Sequence, residues 1–221
     1  MAASIVQTSQ NVTLVGAGQA SKADLDIALA FAPYLIAADG GAEMVLNYGN
    51  TPKKVIGDFD SINRDVLAKI PPADQHHVSE QDSTDFEKCL TGVIAPLILG
   101  VGFLGARLDH QLSGLNVLVR HIGSPCILIG EQDLIFHLNT EISLQLEIGT
   151  RVSLFPMATV HCQSKGLEWP VDQLEMAPSG AISISNGAAE TTIWLRPAGP
   201  GLLVVLPKAC LPAVIRALKL S

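Results

Sequence analysis

The sequence predicts an α/β N-terminal domain, with a mostly parallel sheet flanked by helices, followed by an antiparallel β-sandwich C-terminal domain. Three observations carry that prediction. Through the first half, short apolar runs alternate with stretches of helical period, the rhythm of a parallel sheet wrapped by helices. From about Pro125 the runs shorten, several alternate strictly, and turn residues separate them, as in an antiparallel sandwich or partial barrel. The 221 residues are 48% hydrophobic and only 16% charged, enough to bury a substantial core in one large or two modest domains. A boundary is expected near residues 123–127, giving domains 1–125 and 126–221.

In chain order, "VTLVGAG" reads as a strand and "SKADLDIALAFA" as a helix opened by a Ser21 and Asp24 capping box. "YLIAADGGA" is a second strand running into a glycine turn, and a third ends at Ile56, after which Ser61 can cap a helix. The next helix starts with Thr84 and Glu87 at capping-box spacing, and Phe86, Leu90, Val93 and Ile94 fall on one stripe. After the strand "LILGVGF", Leu112, Leu115, Val119 and Ile122 share a helical face. The second half supplies "CILIG", "LIFHL", "ISLQLEI", "RVSLFP", "AISIS", "TTIWLRP" and "GLLVVLP" as strands, with Trp194 placed in the core. The closing "ACLPAVIRALKL" fits either a short helix or a last strand.

Composition excludes several classes. A net charge of −7 argues against a nucleic-acid partner, yet allows a polyphosphate ligand if a divalent metal supplies the positive charge. Cys89, Cys126, Cys162 and Cys210 form no C-x-x-C pair, so free thiols in a reducing cytosol are expected, and with them a cytoplasmic location. His76 and His77 are adjacent rather than on one helical face and read as loop or strand edge. The opening "MAASIVQTSQN" has no basic segment and no long apolar run, so no secretory leader is expected. Residues 92–106 carry no charge, but the run is shorter than the roughly 20 residues of a spanning helix. Pro96, Gly100, Gly102 and Gly105 interrupt it, so no membrane association is expected.

The acids are the chemical signal. Open parallel sheets bind ligands beyond the carboxyl ends of their strands. Asp39 ends the second strand, Asp58 and Asp60 follow the third, Asp82 and Asp85 the fourth, and Arg107 and Asp109 the fifth. All fall on one rim. In extended chain Asp58 and Asp60 would share a side, with Phe59 turned into the core. Carboxylates converging there repel one another unless a cation sits among them, and Mg²⁺ suits oxygen ligands and substrate phosphates together. Each Asp taken singly also suits a turn or a helix N-terminus.

A rival signal is "GAGQAS", in which Gly16 and Gly18 follow a strand and Asp39 lies near the offset of a ribose-binding acid. The third glycine of that dinucleotide pattern is missing, and Ser21 looks like a cap. An oxidoreductase of that kind also gives Asp58, Asp60 and Asp85 no role. No Walker A sequence occurs.

Through these and further motifs the chain resembles the thiamine pyrophosphokinases. "ADGGA", "GDFDS", "QDSTDFEKCL" and "GARLDH" stand in that family's order and spacing, and "SKGLEWP" and "SISN" resemble its substrate-domain motifs. The resemblance implies an ATP-binding α/β domain, a β-sandwich domain and a homodimer with active sites between subunits. It implies transfer of the terminal diphosphate of ATP to the hydroxyl of thiamine, giving thiamine diphosphate and AMP. By the same resemblance, Asp39, Asp58, Asp60 and Asp85 surround Mg²⁺, with Gln81 and Asp82 beside them. Arg107 and Asp109 lie at the nucleotide, and Trp169, Ser183, Ser185 and Asn186 contact thiamine, Trp169 from the partner subunit. Ser183 and Ser185 alternate on one strand and are expected on one face. The family often has Gly-Gly-Arg where this chain has Gly105, Ala106 and Arg107, so a backbone approach requiring glycine there would alter ATP affinity. A thiamine-binding protein without turnover is the remaining alternative, and the full set of aspartates with Arg107 argues against it.

Overall fold

The structure is a computed structural model that describes residues 4–80, 82–105 and 107–218. The chain divides into two compact units: residues up to Val117 with His121–Glu131, and Leu118–Arg120 with the chain from Gln132 onward. Gln81 and Ala106, both marked by the motifs, lie outside the described residues. No helix among the described residues is long and apolar enough to cross a membrane.

The first unit is built from β1 (Val6–Gln7), β2 (Val12–Val15), α1 (Lys22–Phe31), β3 (Tyr34–Ala38), α2 (Gly41–Asn47), β4 (Lys54–Gly57), α3 (Arg64–Leu67), β5 (Gln75–His77), α4 (Asp85–Gly92), β6 (Val93–Ile94), β7 (Ile98–Val101), α5 (Leu108–Arg120) and β8 (Cys126–Ile129). Its main sheet runs β8-β7-β2-β3-β4-β5, and every adjacent pair is parallel. Strands covered on both faces read as unbroken apolar runs, and all four residues of β2 are buried. Val15, Leu35, Ala37 and Val55 from the strands close a core with Leu25 of α1 and Val45 of α2.

The capping box of α1 forms as its residues dictate: the Ser21 side chain accepts from the Asp24 N–H and Asp24 accepts from the Ser21 N–H. Thr84 Oγ1 likewise accepts from the Glu87 N–H to open α4. Ser61 does not cap the next helix. That role falls to Asn63, whose side chain accepts from the Asp65 N–H, because Ser61 is held among the rim acids. The stripe from Phe86 to Ile94 is also shorter than its spacing implies. The helix stops at Gly92, Val93 and Ile94 leave as β6 to pair with β1, and Ile94 stands half exposed.

In α5 the buried positions are Gly114, Val117 and Leu118, whereas Leu112 is exposed and Ile122 lies beyond the helix. "CILIG", expected among the antiparallel strands, is β8, parallel to β7 in the first sheet. His76 and His77 sit in β5 at the sheet edge, and Cys89, Cys126, Cys162 and Cys210 are free thiols.

The second unit contains β9 (Asp133–Leu138), β10 (Ile142–Gln145), β11 (Arg151–Pro156), β12 (Cys162–Lys165), β13 (Ser183–Gly187), β14 (Thr192–Pro197), β15 (Leu202–Pro207) and α6 (Leu211–Leu218). Its pairings are antiparallel: β13-β11-β15-β9 in one set and β10-β14-β12 in another. The closing segment is a helix, with Leu211, Val214 and Ile215 buried. Trp194 is not a core residue. It is half-buried, with the Lys165 ammonium 5.3 Å above its ring, while Ile193 and Leu195 point inward. Ser183 and Ser185 do not share a face either. The register shifts between Val152 and Leu154, and Ser185 takes φ +57°, so Ser183 is buried and Ser185 exposed.

Candidate active site

At the carboxyl ends of the parallel strands lies a cavity of about 470 Å³, within the range of small-molecule sites. Asp58, Asp60, Asp85, Lys88 and Arg107 line it, together with the Gly16–Gly18 turn. Asp39 sits directly after β3, buried to 1% exposure, in the left-handed region at φ +40°. Room for it exists because residue 57 is glycine: a Cβ there would stand 2.7 Å from the Cβ of Asp39. One ligand oxygen from each of Asp39, Asp58 and Asp60 lies within 4.8 Å of the others.

Their convergence does not come from an extended chain. β4 ends at Gly57, and Phe59 takes φ +62°, folding the chain back so that its ring packs 5.5 Å from His77 and against the core. The turn is pinned by its own acids. The Asp60 N–H donates to Asp58 Oδ1 at 3.4 Å, the Ser61 hydroxyl to Asp60 at 2.8 Å, and the Ser61 N–H to Asp39 Oδ2 at 3.1 Å.

The electrostatics mark a site short of positive charge. Burial pushes the Asp39 carboxyl up to about 6; the Ser61 N–H opposes this, and Asp85, Asp58 and Asp60 add repulsion. Asp39 Oδ1 is buried with no hydrogen-bond partner among the described residues, a costly state for a carboxylate oxygen. Burial likewise raises Asp85. The hydrogen bond from Lys88 holds Asp58 below the usual carboxylate range. An orphaned buried oxygen among three convergent carboxylates fits a hard divalent cation such as Mg²⁺.

Lys88 is the residue the motifs did not single out. Its ammonium donates to Asp58 Oδ2 at 2.7 Å and to Asp85 Oδ1 at 3.5 Å. Burial alone would lower its pKa, but the bonds to Asp58 and Asp85 outweigh that and leave it raised. The available signal was its place three residues after Asp85, on the same face of α4.

Arg107 borders the cavity and is exposed, forked onto Asp109 through Nε–Oδ1 at 3.2 Å and Nη2–Oδ2 at 2.6 Å. An exposed pair of this kind contributes little to stability. Asp82 is exposed, its N–H turned to Glu80. The Gly16-x-Gly18 turn is explained by packing: a Cβ on Gly18 would stand 2.5 Å from the Gly102 carbonyl oxygen.

In the second unit, Asn186 is buried and its amide is fully used. Oδ1 accepts from the N–H groups of Trp169 (3.1 Å) and Gly187 (2.8 Å), and Nδ2 donates to the Trp169 carbonyl (2.7 Å) and Ser183 Oγ (3.1 Å). The Trp169 backbone is thereby fixed while the residue stands 58% exposed. The Ser185 N–H donates to Ser153 Oγ at 3.0 Å.

Comparison with known proteins places the chain in a family. Residues 25–128 match the family model for the thiamin pyrophosphokinase catalytic domain, and residues 139–196 match the thiamin pyrophosphokinase vitamin B1 binding domain. Thiamine pyrophosphokinase 1 of Arabidopsis thaliana is 32% identical over 196 residues, covering 72% of each chain. Thiamine pyrophosphokinase 1 of rice (Oryza sativa subsp. japonica) is 30% identical over 180 residues, covering 73% of this chain and 67% of its own. Among solved structures, thiamin pyrophosphokinase from Candida albicans superposes with a TM-score of 0.76 over 94% of both chains at 18% identity, a likeness of fold. The chain belongs to the thiamine pyrophosphokinase family of enzymes.

Proposed function

We propose that the protein transfers the terminal diphosphate of ATP to the hydroxyl of thiamine, giving thiamine diphosphate and AMP, with Mg²⁺ held at the rim of the parallel sheet. Family membership supports pyrophosphate transfer to thiamine in general. The observation that carries the finer reading is the buried, unpartnered Asp39 Oδ1 facing Asp58 and Asp60. On this reading residues 1–125 bind nucleotide and metal, and residues 126–221 form a sandwich that binds thiamine.

On the same reading Asp39, Asp58, Asp60 and Asp85 surround the ion. The first three have ligand oxygens within 4.8 Å of one another, and Asp85 is joined to Asp58 through Lys88. Asp39, Gln81, Arg107 and Asp109 bind ATP, with Asp82 near the same rim. Mg²⁺ bound there supplies neutralisation of the polyphosphate oxygens and of the charge developing on the AMP leaving group. The chain contributes position more than covalent chemistry, as phosphoryl-type transfers require. Arg107 exchanges Asp109 for phosphate, with a planar fork that lysine does not reproduce. Trp169 lays a ring face against the thiazolium cation, from the partner subunit of a homodimer, and Ser185 offers its exposed hydroxyl. Ser183 and Asn186 keep that surface in shape.

The test is the nucleotide product. Protein incubated with thiamine and Mg-ATP, followed by phosphorus NMR, is expected to give AMP and thiamine diphosphate. Formation of ADP would indicate single phosphoryl transfer, and absence of turnover would leave a binding protein.

A further inference from the structure

Lys88 carries an inference of its own. Its side chain is 3% exposed, and its ammonium joins Asp58 to Asp85. A lysine so deep is tolerated only against carboxylates, and breaking such a pair leaves a buried charge uncompensated. Asp58 therefore belongs to two groupings. Oδ2 meets Lys88, and the same carboxylate stands within 4.8 Å of Asp39 and Asp60. A feature independent of the acids' mere proximity points the same way: Asp39 Oδ1 is buried with no hydrogen-bond partner among the described residues. Lys88 also lines the cavity.

We propose that Lys88 is a resident cation that holds the rim carboxylates together and competes with the divalent ion for Asp58. With a divalent ion on those carboxylates, the four-carbon stem of Lys88 would let its ammonium turn to polyphosphate oxygens in the same cavity. This rests on the Mg²⁺ reading given above. It differs from a merely structural role in sign. A fixed positive charge beside the acids opposes a second cation, so its removal tightens divalent binding. A lysine that only held ligands in place would, on removal, let Asp58 and Asp85 spread and weaken that binding.

The experiment titrates Mn²⁺ into nucleotide-free protein, followed by electron paramagnetic resonance, for wild type and Lys88→Met, with circular dichroism to confirm folding. Lys88→Met is expected to bind Mn²⁺ on the order of tenfold more tightly. Its kcat should fall while KM for thiamine stays unchanged. Equal or weaker Mn²⁺ binding by the folded variant overturns the inference. Should Lys88→Met not fold, the Nζ resonance of Lys88 in ¹⁵N-lysine-labelled wild type, assigned with Lys88→Arg, reads the same exchange. It is expected to move on addition of Mg²⁺, and a stationary resonance overturns the inference. Absence of Mn²⁺ binding by wild type, with or without nucleotide, removes the metal reading too, whereas binding indifferent to residue 88 removes only this inference.

Discussion

The rim of the parallel sheet and the loop around Asn186 handle buried polar groups in opposite ways. At the rim, Asp39 is buried with one oxygen unpartnered among the described residues, and the ammonium of Lys88 faces the carboxylates of Asp58 and Asp85. Around Asn186, both amide lone pairs and both amide hydrogens are used within the chain. A buried carboxylate oxygen without a hydrogen-bond partner costs stability, and a cation is the ligand that would relieve that cost. A satisfied network is evidence of a scaffold. Its function is to hold what lies beside it, here the exposed ring of Trp169.

Breaking the first region should affect chemistry most and stability through its buried charges, and breaking the second should affect stability and thiamine recognition. The largest effect is expected from Asp58→Asn, with kcat falling on the order of 10³-fold and circular dichroism unchanged. Unchanged turnover would remove Asp58 from the metal site. Asn186→Ala comes next, because it strips partners from the N–H and carbonyl of Trp169. A loss of about 1–3 kcal/mol in chemical denaturation is expected, with a raised KM for thiamine. Trp169→Ala should leave stability unchanged and raise KM for thiamine roughly 2- to 30-fold, the equivalent of about 0.5–2 kcal/mol.

The smallest effect concerns pH. The folded Asp39 carboxyl is raised from 3.8 to about 6, so between those values the folded chain keeps a proton that the unfolded chain has released. Metal-free stability should therefore fall as pH rises through that window. Asp39→Asn should flatten the slope and raise the metal-free Tm above pH 6 by roughly 2–4 °C. A calorimetric scan at several pH values without divalent ions checks both.

Much of this was legible in the sequence because strand ends are. Asp39 and Asp58 follow apolar runs that only a buried parallel sheet accommodates, so their arrival at one rim followed from topology. What escaped depended on single backbone angles and on contacts distant in sequence. Nothing in "GDFDS" announces that Phe59 will be left-handed, and nothing in "SISNG" announces the bulge that separates Ser183 from Ser185. Lys88 escaped because a lysine on an amphipathic helix ordinarily reaches water, and only the packing of α4 against β4 places Asp58 within its reach. Ile94 misled because helical spacing persists in sequence after Gly92 ends the helix.

The central claim is that the gap between Asp39, Asp58 and Asp60 seats a divalent ion. A crystal soaked with Mn²⁺ and an unreactive ATP analogue, examined by anomalous diffraction, tests it most directly. A peak is expected about 2.0–2.2 Å from carboxylate oxygens of these residues. Side chains splayed into solvent around an empty gap, with nucleotide bound, would contradict it.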